Sequence, residues 1–193
     1  MSDKLRRLMP VLQVFLCVCI FATAVMAAGF VISTSYPVTK DPQTLGTKVL
    51  PLSIAVADFN NDGNLDVAVG DSPGINLLLG NGDGTFQSAI ESTNFATPIA
   101  MAVADFNGKG ALDIAAANYL TGTASVLPGN GDGSFGLLKV YPVSTFAAPV
   151  QSIAEGDLNG DGLPDFAVTS GNGTSGQVTV LLNRGSGSNV LVE

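Results

Sequence analysis

The chain has 193 residues, 46% of them apolar and 12% charged, with a formal net charge of -8. That length suffices for one domain with a buried core, and the acidic balance excludes a basic footprint for nucleic acid, leaving cations as electrostatic partners. Histidine and tryptophan are absent, and glycine clusters with Asn and Asp, the composition of tight turns between short strands.

In chain order, "MSDKLRR" is a basic start, "VLQVFLCVCIFATAV" an apolar run, and "MAAG" a small-residue stretch, the layout of a secretory signal with Val25 and Ala27 at the cleavage positions. Residues 1–28 therefore read as a signal peptide or, because no charge stands between Arg7 and Lys40, as an uncleaved membrane anchor. Both readings export the remainder, making it secreted or displayed at the cell surface, with membrane contact only if the segment stays attached. Cys17 and Cys19 fall in the apolar run as small hydrophobes, so the exported part has no disulfide to brace it. From Ala28 onward, five Lys and Arg face fifteen Asp and Glu.

A repeat then organises the chain. "SIAVADFNNDGNLDVAVG" from Ser53 recurs as "AMAVADFNGKGALDIAAA" from Ala100 and "SIAEGDLNGDGLPDFAVT" from Ser152. Each copy is followed by a second signature, "LLLGNGDGTF" at Leu77, "VLPGNGDGSF" at Val126 and the worn "LLNRGSGSNV" at Leu181, where Arg184, Ser186 and Asn189 replace Asn, Asp and Phe. The units lie around 53–99, 100–150 and 151–193. Four short strands are predicted in each: "SIAVA", "LDVAVG", "INLLLG" and "FQSAIES" in the first, with equivalents in the others, all bounded by turn residues. Their alanines favour helix mildly, but the regular Gly, Asn and Asp punctuation outweighs that preference. "FVISTSYPV" from Phe30 matches "FGLLKVYPV" of the second unit, so a leading strand over 30–38 is predicted.

The stretch "DFNNDGNLD" sets oxygen-bearing side chains at every second position, a row that repels itself unless a cation sits among them. Calcium takes about six to eight oxygens, and a curled loop of this spacing supplies them. The expected ligands are the side chains of Asp58, Asn60 and Asp62, the carbonyl of Asn64, and Asp66 closing the site; Gly63 at positive φ permits the turn, and Leu65 points into the core. An EF-hand would require Glu at the twelfth position, here Val69, and flanking helices. The third loop repeats the pattern with Asp157, Asn159, Asp161, the carbonyl of Leu163, and Asp165. In the second, Asp105, Asn107, Ala111 and Asp113 surround Lys109, whose ammonium is expected to replace the ion, leaving a degenerate loop without metal. The bland alternative for all three is a set of Asx turns in which Asn and Asp cap their own backbone. The "GNGDG" turns carrying Asp83 and Asp132 read as plain hairpin turns.

These acidic loops, together with the two "GNGDG[TS]F" turns, resemble the FG-GAP and VCBS repeats of integrin-alpha-like β-propellers over nearly the whole stretch 29–193, without the literal Phe-Gly and Gly-Ala-Pro words. The resemblance implies an all-β fold of four-stranded propeller blades, about three of them, as a partial or open propeller, with the acidic loop joining a blade's first two strands. It also implies an extracellular platform for ligand binding, adhesion or protein–protein contact, through loops such as "DSPGIN" from Asp71, "NYLTGTAS" from Asn118 and "SGNGTSGQ" from Ser170. The partner is then an unknown protein or carbohydrate, with calcium (Ca2+) structural. Without His or Cys in the exported part, and with its regular acids committed to loops, no nucleophile–base arrangement is legible, and the chain is read as not an enzyme. Alternatives are a non-catalytic repeat segment of a larger extracellular enzyme, or a self-assembling scaffold. Three blades fall short of the about four to eight that close a propeller, so association of copies as a homo-oligomer is one way to complete it.

Overall fold

A computed structural model describes residues 35–36, 51–72, 74–93, 97–143, 149–185 and 191–192. The segment 1–28 and all of the leading strand except Ser35 and Tyr36 lie outside them. The described residues form twelve strands and no helix.

The strands make three four-stranded antiparallel sheets, each in chain order. The first holds β1 (Ser53–Ala57), β2 (Asp66–Gly70), β3 (Gly74–Leu78) and β4 (Ile90–Thr93); the second β5 (Pro98–Ala104), β6 (Asp113–Asn118), β7 (Thr123–Leu127) and β8 (Lys139–Pro142). The third holds β9 (Val150–Gly156), β10 (Asp165–Gly171), β11 (Gly176–Leu182) and β12 (Leu191–Val192). Register places the repeat on a common frame: Ala57 pairs with Asp66, Ala104 with Asp113, and Gly156 with Asp165, so each acidic loop closes the hairpin of a sheet's first two strands.

The alternating side chains of a strand serve two neighbours. Ala68, Ile75 and Leu77 of the first sheet pack with Ile114, Ala116 and Leu127 of the second. From its other face the second sheet sends Ala115, Ala117 and Ala124 against Phe166, Val168 and Leu181 of the third. The middle sheet is thus buried on both sides, and β6 is buried along its full length. This explains its alanines: with a sheet against each face, small side chains admit close approach, and packing overrides helix propensity.

The outer strands differ from expectation. "FQSAIES" does not pair from Phe86 on; the chain makes a single bridge, Gly80 with Phe86, and regular pairing starts at Ile90. The second sheet repeats this with Gly129 and Phe135 before β8. The cause is the aromatic ring. Phe135 lies edge-on to Phe59 at 6.1 Å and packs into the cluster between the first two sheets, which draws the chain off the ladder. Leu65 also differs: it is 64% exposed.

Candidate functional site

The three acidic loops curl alike. Gly63, Gly110 and Gly162 have φ of 86, 83 and 84°, as their position required, and the fourth loop residue is left-handed too, as Asn61 (57°), Gly108 (69°) and Gly160 (80°). Asn61 is the costly member of that set, since a side chain is disfavoured there, Asn least.

In the first loop the carboxylate of Asp58 accepts the backbone N–H of Asp62 (3.2 Å) and of Gly63 (2.9 Å). Asp62 accepts the N–H of Asn64 (2.7 Å) and the amide of Asn60 (2.8 Å), and Asn60 Oδ1 accepts the N–H of Asp62 (3.1 Å). The third loop reproduces this map: Asp157 accepts from Gly160, Asp161 and Gly162, Asp161 from Leu163 and Asn159, and Asn159 from Asp161. Those bonds hold the carboxyls of Asp62 and Asp157 below the usual carboxylate range, Asp62 through Asn64 and Asn60, Asp157 chiefly through Gly162. The Asx-turn bonding of the bland reading is therefore present in both loops.

The last aspartate of each loop has a task that the motif alone did not disclose. Asp66, Asp113 and Asp165 are fully buried. Asp66 accepts Phe59 N–H at 2.8 Å and Gly80 N–H at 2.8 Å; Asp165 accepts Leu158 N–H at 3.0 Å and Asn183 N–H at 2.7 Å. Asp113 accepts Asn107 N–H at 3.0 Å and Gly129 N–H at 2.9 Å. Each ties its acidic loop to the turn between the third and fourth strands of the same sheet. Two glycines make room for that approach, because a Cβ on Gly80 would stand 2.2 Å from Leu65 O, and one on Gly129 2.1 Å from Leu112 O. Among the described residues, no three acidic, His or Cys side chains gather as a group able to hold a metal ion.

The second loop keeps the same curl. Asp105 accepts the N–H of Lys109 and of Gly110 at 3.0 and 2.7 Å, whereas the Lys109 side chain is exposed and makes no ion pair among the described residues. Backbone donors to Asp105 thus hold the shape of this loop. With no carboxylate at position 109 to hold it, the Asn107 amide donates to Asp113 at 2.6 Å, leaving its own Oδ1 buried without a partner. Ala111 is buried beneath the loop.

The Gly-rich turns are hairpin turns closed by their own Asx bonds: Asp83 accepts Thr85 N–H at 2.9 Å and its hydroxyl at 2.6 Å, and Asp132 accepts Ser134 N–H at 2.9 Å. They also join neighbouring sheets, since Gly133 N–H donates to Phe59 O (3.3 Å) and Asn61 Nδ2 to Gly131 O (3.3 Å).

At the opposite end of the sheets are the turns after the second strands. Asp71, within "DSPGIN", is buried and accepts Gly74 N–H (3.1 Å) and Asn76 Nδ2 (2.6 Å). The equivalent Asn118 donates to Thr123 and Ser125 hydroxyls at 3.2 and 3.0 Å. Ser170 holds the same place in the third sheet beside an open groove of about 640 Å³, lined by Gln151, Thr169, Thr174 and Gln177 among others. A polar residue at a constant distance past each loop was the sequence signal for this layer. Burial raises the Asp71 carboxyl, outweighing its Gly74 and Asn76 bonds, and raises Asp113 likewise. A raised group binds its proton more tightly folded than unfolded, so its contribution to stability falls as pH rises from the ordinary carboxylate range through the raised value. Asp71→Asn is expected to flatten that part of the stability–pH curve, read from denaturant midpoints across the range; an unchanged curve refutes the assignment.

Consecutive four-stranded antiparallel sheets, each packed face to face on the next and each closed by the same acidic hairpin, define a β-propeller-type repeat protein. The model of the FG-GAP-like repeat family matches residues 58–116 and 105–168, together more than half of the chain, and the chain belongs to that family. One similar solved structure, described as the structural basis of specific recognition of non-reducing terminal N-acetylglucosamine by an Agrocybe aegerita lectin, has 26% identity and a TM-score of 0.49. The match covers 69% of this chain and 35% of that one, so this chain spans about a third of its length. No curated protein matches the chain.

Proposed function

We propose that this chain is an exported ligand-binding module whose first and third acidic loops hold structural calcium, and that it carries out no catalytic step. The observation behind the calcium assignment is the hydrogen-bond pattern that those two loops share among their Asp, Asn and Asp side chains, against the altered one of the loop carrying Lys109. The donors fit a hard cation: Asp58, Asn60, Asp62 and the Asn64 carbonyl in one loop, and Asp157, Asn159, Asp161 and the Leu163 carbonyl in the other, all offer oxygen. Asp66 and Asp165 have one backbone N–H on each oxygen. Each oxygen keeps a further lone pair, so their part is a monodentate or supporting one, with water completing the shell. Bound calcium would neutralise charge on the rim and fix the hairpin that the sheet hangs from.

Ligand contact is assigned to the opposite end, where the turns after β2, β6 and β10 present small polar groups and the exposed Tyr119 and Leu120. A protein or a carbohydrate suits such a surface, and adhesion at the cell exterior is the role that follows from export. The net negative balance gives nucleic acid no footing.

With about 1 mM calcium and a dissociation constant of about 0.1 mM, linkage adds about 1.4 kcal/mol per site. The full chain should bind two calcium ions by calorimetry and melt higher in calcium than in chelator. Asp62→Lys should bind one, and Lys109→Asp three. No calcium bound at millimolar concentration refutes the metal; two ions in Lys109→Asp refute the role given to position 109.

A further inference from the structure

We propose that Asn172, in the turn between β10 and β11, is a self-modifying site whose carboxamide converts to aspartate or isoaspartate through a cyclic imide, and that the turn itself promotes the step. The chemistry uses only the chain and water. The Gly173 nitrogen bonds to Asn172 Cγ and gives up its proton, the Cγ–Nδ2 bond breaks, and Nδ2 leaves as ammonia with that proton. Water then adds across one of the two imide C–N bonds, giving aspartate or isoaspartate. Glycine after the asparagine leaves the attacking nitrogen unshielded by a side chain.

Five asparagines precede a glycine: Asn81, Asn107, Asn130, Asn159 and Asn172. Sequence does not single one out; hydrogen bonding does. In the first four the nitrogen that would leave is held as a donor. Asn81 Nδ2 donates to Thr85 Oγ1 at 2.9 Å, Asn107 Nδ2 to Asp113 Oδ1 at 2.6 Å, Asn130 Nδ2 to Ser134 Oγ at 2.9 Å, and Asn159 Nδ2 to Asp161 Oδ2 at 2.9 Å. At Asn159 the attacking nitrogen is engaged too, since Gly160 N–H donates to Asp157 at 2.7 Å.

Asn172 is bonded the other way round. Its Oδ1 accepts the N–H of Thr174 and of Ser175, both at 3.1 Å, the Thr174 hydroxyl at 2.8 Å and the Ser175 hydroxyl at 3.4 Å. Its Nδ2 and the N–H of Gly173 donate to no group among the described residues. Two backbone donors on one atom fix that atom as the oxygen, because an amide nitrogen could accept neither. Oδ1 is where negative charge gathers as Gly173 N adds to Cγ, so donors already aimed at it favour the addition, as those of an oxyanion hole do. The bond from Thr174 N–H also closes a ring containing both Cγ and Gly173 N, which keeps the reacting atoms within one Asx turn. Asn172 is exposed, so water reaches the imide. The aspartate product retains these bonds, because they use only the oxygen that stays; isoaspartate lengthens the main chain by a methylene and breaks the turn. Either product sets a new carboxylate beside the groove lined by Gln151, Thr169, Thr174 and Gln177, none of whose lining side chains is charged.

The test is a peptide map by mass spectrometry of the full chain after incubation at mildly alkaline pH, native and in guanidinium chloride. It follows the amide-to-acid mass gain at all five asparagines, with electron-transfer fragmentation separating aspartate from isoaspartate. Native Asn172 should convert first, and roughly tenfold faster than in denaturant, a modest share of the about 10²–10³ that one oxyanion donor gives where water is excluded. The other four should convert more slowly native than denatured. Thr174→Val removes one donor at an exposed position and should slow native Asn172 severalfold while leaving its denatured rate unchanged. If circular dichroism shows that variant unfolded, the comparison within the parent chain decides alone. Asn172 converting no faster native than denatured, another of the five leading in the native chain, or an unchanged native rate in folded Thr174→Val overturns the proposal.

Discussion

Asp66→Ala is expected to lower the stability of the folded chain by roughly 2–6 kcal/mol, because two backbone donors lose a charged acceptor at about 1–3 each. Both are enclosed: Phe59 and Gly80 are buried, and the carboxylate between them is fully so. Water replaces neither bond without opening the loop. Against a total stability of about 5–15 kcal/mol, the loss is large enough to unfold a weakly braced chain. Chelator separates the two roles of this residue. If Asp66 chiefly staples the loop to the turn after β3, the shift in the urea midpoint persists in chelator; if it chiefly holds calcium, the shift disappears there. Asp113→Ala supplies the control, since it removes two comparable backbone bonds, and the Asn107 amide bond besides, in a loop to which no ion is assigned.

Phe166→Ala is expected to cost roughly 3–5 kcal/mol, the usual range for emptying a buried phenylalanine site. Its ring is 1% exposed and lies at 80° to Phe106 across the junction of the second and third sheets. In a series of stacked units, stability is a sum of unit terms and neighbour terms, so loss at a junction should also divide the unfolding. The third sheet should then exchange its amide hydrogens ahead of the first two, whereas the parent chain protects all three together. Uniform exchange in the variant would place the coupling elsewhere. The chain has no tryptophan, so circular dichroism and hydrogen exchange are the probes of choice.

Much of this was legible from spacing. The repeat and the left-handed glycines of the loops are local properties, written in short-range pattern, and the order of strands follows from the same punctuation. The assignment of Leu65 failed because alternation along one strand says which side chains share a face, not whether anything covers that face. Leu112 shares its position and packs into the cluster between the first two sheets, while Leu65 has no such cover among the described residues. Likewise "FQSAIES" has the residues of a strand, yet the pull of Phe86 and Phe135 toward neighbouring clusters delays the pairing.

The amino-acid sequence by itself determined the unit: four strands, one oxygen-rich loop and one glycine turn, repeated, since each depends on residues close together in the chain. Tertiary structure decided what the last aspartate of each loop does and which apolar faces are covered. Those outcomes depend on backbone groups 14 to 18 residues away, such as Gly80, Gly129 and Asn183, and on sheets a full repeat apart. No local pattern carries that information, because a carboxylate chooses among donors by which of them burial has stripped of water.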